Sequence, residues 1–142
     1  TSVICYQRGA QLSVIIRPDG LLEARRLPAQ RSHPNPHVKI TSQSKLQAGQ
    51  VYHAVVTYDG AKLSMYLNGQ LQSQRPCQGT RSTERCNIGG NIVDSVSKEI
   101  DDIDVSGGFV GNMLRMHVVS GALTAKQVQE SYQRVQMLPL WK

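Results

Sequence analysis

Two glycine-containing dipeptides, Asp59-Gly60 and Asn68-Gly69, constrain the fold of this chain more than any other feature. They separate three segments (51–58, 63–67 and 71–74) that are rich in β-branched, aromatic or alternating apolar residues. Asp-Gly and Asn-Gly favour tight hairpins because both central residues of a type I′ turn need positive φ. The sequence therefore predicts three consecutive antiparallel strands here, joined by two turns of the same type.

Strand-like segments recur along the rest of the chain. The turn Pro18-Asp19-Gly20 separates two of them, because proline fixes φ and glycine tolerates positive φ. Beyond the three central segments, we expect strands at 3–6, 12–17, 21–27, 37–41, 87–92 and 109–119.

One helix is predicted near the end of the chain. Thr124 is a good N-cap, and Gln127 three residues later completes a capping box. Val128, Tyr132 and Val135 then recur at helical spacing. Many short strands, one short C-terminal helix and frequent turns predict an all-β antiparallel sandwich.

The 142 residues are about the length of one domain, and we expect a single domain over 1–142. The chain opens at Thr1 directly into strand-like sequence, so we expect a fragment of a larger protein. No apolar run approaches the ~20 residues of a membrane helix. Two irregular segments are predicted: a proline-rich loop at 28–36 and an acidic insertion loop at 93–108.

Four motifs follow one another in a set order over residues 45–132. They are Gly49 to Gly60, Leu63 to Gly69, Asn87 to Gly90, and Phe109 to Val128. Together they resemble a laminin-G-like domain of the concanavalin A-like lectin/glucanase class and, more loosely, the laminin-G-like domain of the pappalysins. The resemblance implies a jelly-roll sandwich that acts as a non-enzymatic extracellular binding module.

The sequence departs from this family in three places. One or two strands normally precede the segment that matches Val3 to Tyr6, so we expect these to come from another segment or another chain. Cys5 would then lie on the strand nearest an open edge. Val51 stands where the family usually has Trp, and Leu114-Arg115 stand where it often has an acidic pair, which weakens a calcium or surface role at that position.

Basic residues are concentrated in the first 50 positions, which hold seven Lys or Arg against two Asp or Glu, within a chain of net charge +6. This predicts either an acidic partner, such as a sulfated glycan, or simply solvated strand faces. No recognition helix or aromatic-lined basic groove indicates nucleic-acid binding. The candidate residues for an anionic ligand are Arg17, Arg25, Arg26 and Lys39.

Three cysteines are present, an odd number. Cys77 and Cys86 flank a polar stretch and could close a disulfide loop over 77–86, leaving Cys5 unpaired or bridged to another chain. That interpretation favours a secreted protein. The alternative is three reduced, buried thiols in a cytosolic domain.

The acidic insertion has three interpretations: a calcium site, the catalytic carboxylates of a hydrolase, or a solvated loop with no site. Asp94, Asp101, Asp102 and Asp104 could supply oxygen ligands to Ca²⁺, the one cofactor that the sequence suggests. Glu99, Asp101 and Asp104 resemble the catalytic strand of jelly-roll β-glucanases, although the last carboxylate is shorter and the strand follows the hairpins instead of preceding them. The bland alternative is a solvated acidic loop that balances the basic strands.

We expect no transition-metal site. His33 and His37 have metal-like spacing, but the intervening prolines forbid the helix that would align them. His53 and His117 lie in predicted strands, and a structural role is expected for all four histidines.

From the sequence we therefore expect a binding or assembly module that makes protein–protein or protein–glycan contacts within a larger extracellular protein. The alternatives are a lectin-type module for sulfated glycans and a glycoside hydrolase.

Overall fold

A computed structural model describes residues 2–7, 12–26, 38–77, 86–88, 110–117 and 121–138. These residues form eight strands and one helix. The strands are β1 (Ser2–Gln7), β2 (Ser13–Ile16), β3 (Leu21–Arg26), β4 (Val38–Lys45), β5 (Ala54–Tyr58), β6 (Lys62–Leu67), β7 (Gln70–Pro76) and β8 (Cys86–Ile88), and the helix is α1 (Ala125–Gln136).

The strands form two sheets. One has five strands in the order β4-β3-β2-β1-β8, and the other has three in the order β5-β6-β7. Every described strand pair is antiparallel. The predicted all-β sandwich with one short helix is therefore confirmed.

The core lies between the two sheets and is formed by the side chains at alternate positions of their strands. Leu22 and Ala24 of β3 are buried there, while Leu63, Met65 and Leu67 of β6 approach from the other sheet. Residues two apart in a strand share a face, so these residues place one side of each strand in the interior. The intervening residues of β3 are consequently on the outer face of the five-stranded sheet.

The sheets approach closely where β4 and β7 meet. The backbone N–H of Gln43 donates to Oε1 of Gln72 at 2.9 Å, and Nε2 of Gln43 donates to the carbonyl of Gln72 at 3.0 Å. Arg75 adds a bond from Nη1 to the carbonyl of Lys39 at 3.3 Å. These bonds satisfy polar groups at two edges that would otherwise be open to other strands.

The two central turns differ, contrary to the sequence prediction. Asn68 and Gly69 have φ of 50° and 79°, and a two-residue loop joins β6 to β7, as a type I′ turn requires. The β5–β6 connection has three residues, and of its first two only Gly60 has positive φ, at 94°. The reason is local: Oδ1 of Asp59 accepts the N–H groups of Ala61 at 2.9 Å and Lys62 at 2.8 Å.

The first strand is not beside an open edge, which corrects the expectation for Cys5. β1 pairs with β2 on one side and β8 on the other, and Cys5 lies opposite Val14 and Ile88. The residue is only 6% exposed. A disulfide from Cys5 to another chain would require this part of the sheet to open.

The strand predicted at 109–119 is absent from 110–117, the part of it that the structure describes. Residues 110–117 are exposed and irregular, with Val110 94% exposed. The prediction rested on apolar composition, but a strand also needs a neighbour to complete its hydrogen bonds. The apolar composition of a segment does not show whether a neighbouring strand is available.

The helix begins and ends close to the predicted positions. The N–H of Gln127 donates to Oγ1 of Thr124 at 3.2 Å, and the N–H of Thr124 donates to Oε1 of Gln127 at 2.9 Å, which is the predicted capping box. Val128 is fully buried. Tyr132 lies against the β6–β7 turn, where a Cβ at Gly69 would be 3.0 Å from its Cδ2 atom.

Alanine substitutions at two turn glycines should distinguish the energetic cost of positive φ from the cost of disturbing the Tyr132–Gly69 contact. Gly60→Ala meets no atom within 4 Å, so we expect it to lower the free energy of unfolding only by the cost of positive φ, about 1–2 kcal/mol. Gly69→Ala should cost more, because Tyr132 must also shift. Urea unfolding of both variants measures the difference; equal losses would contradict the docking of α1 on this turn.

Candidate binding face of the five-stranded sheet

Polar and charged side chains are aligned across the outer face of the five-stranded sheet. Arg25 of β3 lies in register between Ser13 of β2 and Lys39 of β4. One pleat further along, Glu23 lies between Ile15 and Thr41. Cross-strand partners share a face of the sheet, so these two rows are adjacent on the side away from the core.

An ion-pair network connects four of the charged residues at this face. Nε of Arg25 donates to Oε2 of Glu23, and the other carboxylate oxygen of Glu23 lies 3.7 Å from Nη1 of Arg17. Nη2 of Arg17 in turn donates to Oδ2 of Asp19 at 2.7 Å. The network thus alternates in charge from Asp19 to Arg25.

The network runs from solvent into the protein. The side chains of Arg17 and Asp19 are each 38% exposed, whereas those of Glu23 and Arg25 are 6% and 8% exposed. The exposed pair contributes little to stability, because water screens it. The buried pair is different, because each ion lost its hydration on folding and depends on the other.

The buried guanidinium of Arg25 lacks one hydrogen-bond partner among the described residues. Nη1 of Arg25 is inaccessible to solvent and has no hydrogen-bond partner among the described residues. A buried donor without a hydrogen-bond partner lowers the stability of the folded protein, so this nitrogen of Arg25 is destabilising.

Arg26 does not belong to this face, although the sequence grouped it with Arg17, Arg25 and Lys39. It follows Arg25 directly in β3, and successive side chains of a strand point to opposite sides. Its guanidinium carbon lies 3.6 Å from the centre of the Tyr58 ring, which belongs to the other sheet. Arg26 is 4% exposed and joins the two sheets by a cation–π contact.

The Cys77 thiol lies beside Arg26 in this interior. Burial raises its pKa, and the adjacent guanidinium offsets part of that effect. Cys77 forms no disulfide in this structure, and the side chain of Cys86 lies outside the described residues. The Cys77–Cys86 disulfide therefore stays a prediction.

Several other predicted site residues lie outside the described part of the chain. They are His33, His37, Asp94, Glu99, Asp101, Asp102 and Asp104, so the calcium site and the carboxylate set of a hydrolase stay predictions. Within the described ranges, no group of three or more His, Cys, Asp and Glu side chains could hold a metal ion. The helix in those ranges is too short and too polar to cross a membrane.

Sequence reasoning missed the acidic half of the network. The sequence places Asp19 only in a turn, and Asp19 does have that role, because its Oδ1 accepts the N–H of Leu21 at 3.2 Å. Glu23 was not singled out at all. The available signal was the spacing of Glu23 and Arg25, two residues apart in a strand and therefore side by side on one face.

Comparison with known families agrees with the fold. The description "Concanavalin A-like lectin/glucanases superfamily" belongs to the family that matches residues 12–129, most of the chain. The chain belongs to the concanavalin A-like lectin/glucanase superfamily. No curated protein sequence matches this superfamily member significantly.

A solved structure shares the fold of this concanavalin A-like chain. It is the crystal structure of residues 221–444 of an S-layer domain-containing protein from Clostridium thermocellum, with a TM-score of 0.53 and 18% sequence identity. The alignment covers 92% of this chain and 63% of that one, so the chain spans less than two thirds of the structure it matches. At this identity the likeness shows the fold alone.

Proposed function

We propose that this chain is a non-enzymatic binding module of a larger extracellular protein, and that it binds a glycan at the β2–β3 hairpin, where the charge network of the five-stranded sheet reaches solvent. The observation that carries the proposal is the charge network that ends in the exposed pair of Arg17 and Asp19. Membership of a superfamily named for lectins and glucanases supports a glycan over a protein ligand. The solved structure that shares the fold comes from an S-layer domain-containing protein, and the extracellular location is part of this proposal.

The network prepares Arg17 for binding. Its two Nη atoms face two different carboxylates, Asp19 at 2.7 Å and Glu23 at 3.7 Å, so the guanidinium is oriented before a ligand arrives. A preoriented side chain loses less conformational entropy on binding. Guanidinium donors and carboxylate acceptors side by side also match the hydroxyl groups of a sugar, which both accept and donate hydrogen bonds.

A sulfated glycan is the second candidate, and one observation favours it. Arg25 and Lys39 lie in register on neighbouring strands, which places two cationic residues opposite each other, although the side chain of Arg25 is only 8% exposed. Against it, Glu23 and Asp19 offset the charge of Arg25 and Arg17, and Arg26 faces the interior. The geometry therefore favours a ligand of low charge over a highly sulfated one.

Binding on a glycan array tests this proposal. We expect wild type to bind an uncharged or weakly charged glycan and Arg17→Ala to bind it on the order of tenfold more weakly, the loss of one charged hydrogen bond. Arg134→Ala is the matched control, because it removes an exposed arginine from α1 and should leave affinity unchanged.

Three outcomes would argue against the proposal. Equal binding by wild type and Arg17→Ala would exclude this face, and preferential binding of heparin that is lost in high salt would favour the sulfated-glycan alternative. Release of reducing ends from β-glucan, abolished by Glu99→Gln, would show that the chain is a glycoside hydrolase.

A further inference from the structure

His53 lies next to the β6–β7 turn, just before β5. Its backbone N–H donates to Oδ1 of Asn68 at 2.9 Å, and its carbonyl accepts the N–H of Asn68 at 2.7 Å. These two bonds fix the backbone from which the imidazole ring projects. The position of the ring is therefore set by the sheet and its turn.

Helix α1 contacts the same ring. The rings of His53 and Tyr132 are 5.8 Å apart between centroids and inclined by 32°. Oγ of Ser131 lies 3.4 Å from Nε2 of His53. Tyr132 also lies against Gly69, so one turn of the helix contacts both the histidine and the β6–β7 turn.

The other ring nitrogen has no hydrogen-bond partner in the part of the chain that the structure describes. Nδ1 of His53 is inaccessible to solvent and makes no hydrogen bond with the described residues. A neutral imidazole tolerates this arrangement if Nε2–H faces Ser131 and Nδ1 is the unprotonated atom. A protonated imidazole would place a new N–H donor, and a positive charge, where none of the described residues accepts a hydrogen bond from it.

The described residues that contact the ring are uncharged, so they do not offset that cost. The titratable group that faces the ring from α1 is the phenol of Tyr132, and the facing residues of the turn are Asn68 and Gly69. Burial of the ring lowers the pKa of His53.

We propose that His53 is a pH-sensitive latch that holds α1 on the β5-β6-β7 sheet when its ring is neutral and releases the helix when its ring is protonated. Because the pKa is lowered in the docked state, the released state binds more protons. The stabilisation is complete above the ordinary value of 6.5 and is lost as the pH falls through and below it. This latch is independent of the glycan-binding proposal.

Hydrogen exchange of the whole chain at about pH 7.5 and about pH 5 tests the latch, with rates corrected for the intrinsic effect of pH. In wild type, the protection of α1 should fall on the order of tenfold at the lower pH, the effect of one unpaired buried donor. Protection of β6 should be unchanged. His53→Gln should remove the pH dependence of α1, whereas His117→Gln, at an exposed histidine, should retain it.

Equal protection of α1 in wild type at both pH values would overturn the latch, as would the same loss of protection in His53→Gln. An NMR titration of wild type provides a test that needs no variant. The ring of His53 and the amides of α1 should change with one shared midpoint. Helix amides that change at a different midpoint would also overturn it.

Discussion

Glu23→Gln is expected to lower the free energy of unfolding by about 3–5 kcal/mol, which is what breaking a buried ion pair costs. The side chains of Glu23 and Arg25 are 6% and 8% exposed, so neither ion regains water when its partner is neutralised. One nitrogen of Arg25 already has no partner among the described residues, and the substitution would leave the charge of Arg25 uncompensated as well. Urea unfolding measures the loss as a lower midpoint at an unchanged m-value.

The same chemical change at the exposed end of the network is the control. Asp19→Asn alters a carboxylate that is 38% exposed, and we expect a loss of about 0–1 kcal/mol. Replacing both Glu23 and Arg25 with leucine should destabilise less than Glu23→Gln alone, because neither position then holds an uncompensated buried charge. Equal losses of unfolding free energy in Glu23→Gln and Asp19→Asn would show that burial does not make the Glu23–Arg25 pair more important for stability than the exposed pair.

Met65→Ala is expected to cost about 2–5 kcal/mol, because Met65 is fully buried between the two sheets. The loss combines the transfer free energy of the removed atoms with the cavity that β6 and its neighbours cannot close. The matched control is Met137→Ala, since Met137 is 83% exposed and should change stability by about 0.5 kcal/mol or less. Thermal or urea unfolding compares the two; a loss below about 1 kcal/mol in Met65→Ala would place the core elsewhere.

The hairpins and the helix could be predicted because they depend on neighbouring residues. Asn68-Gly69 adopts positive φ at both positions, and Thr124 and Gln127 cap the helix as their spacing indicates. Asp59 differs for an equally local reason, since its carboxylate binds the N–H groups of Ala61 and Lys62 and lowers its own pKa by doing so. The preference of Asp-Gly for type I′ turns does not take account of these hydrogen bonds to the Asp side chain.

The candidate site was only partly predictable. Alternation along β3 separates Arg25 from Arg26, and that separation could have been inferred from their adjacency. The pairing of Arg17 with both Asp19 and Glu23 could not, because it depends on the register of β2 with β3. The contact of His53 with Ser131, 78 positions later, depends on how α1 packs on the sheet.

The strand predicted at 109–119 shows the limit of composition. Met113, Leu114 and Met116 suit a half-buried strand, yet they are 38%, 49% and 38% exposed. Their apolar character is a property of the segment, whereas a strand is a property of two segments together. The same reasoning explains why β8, only three residues long, is a strand: it pairs with β1.

The most direct test of the central claim is to map a bound glycan on the protein by NMR, with the oligosaccharide that binds most tightly on the array. The account predicts that amide shifts change around the β2–β3 hairpin, at Arg17, Asp19 and Glu23, and that Arg17→Ala removes these changes. Changes confined to the β5-β6-β7 sheet or to α1, with none at the β2–β3 hairpin, would contradict it.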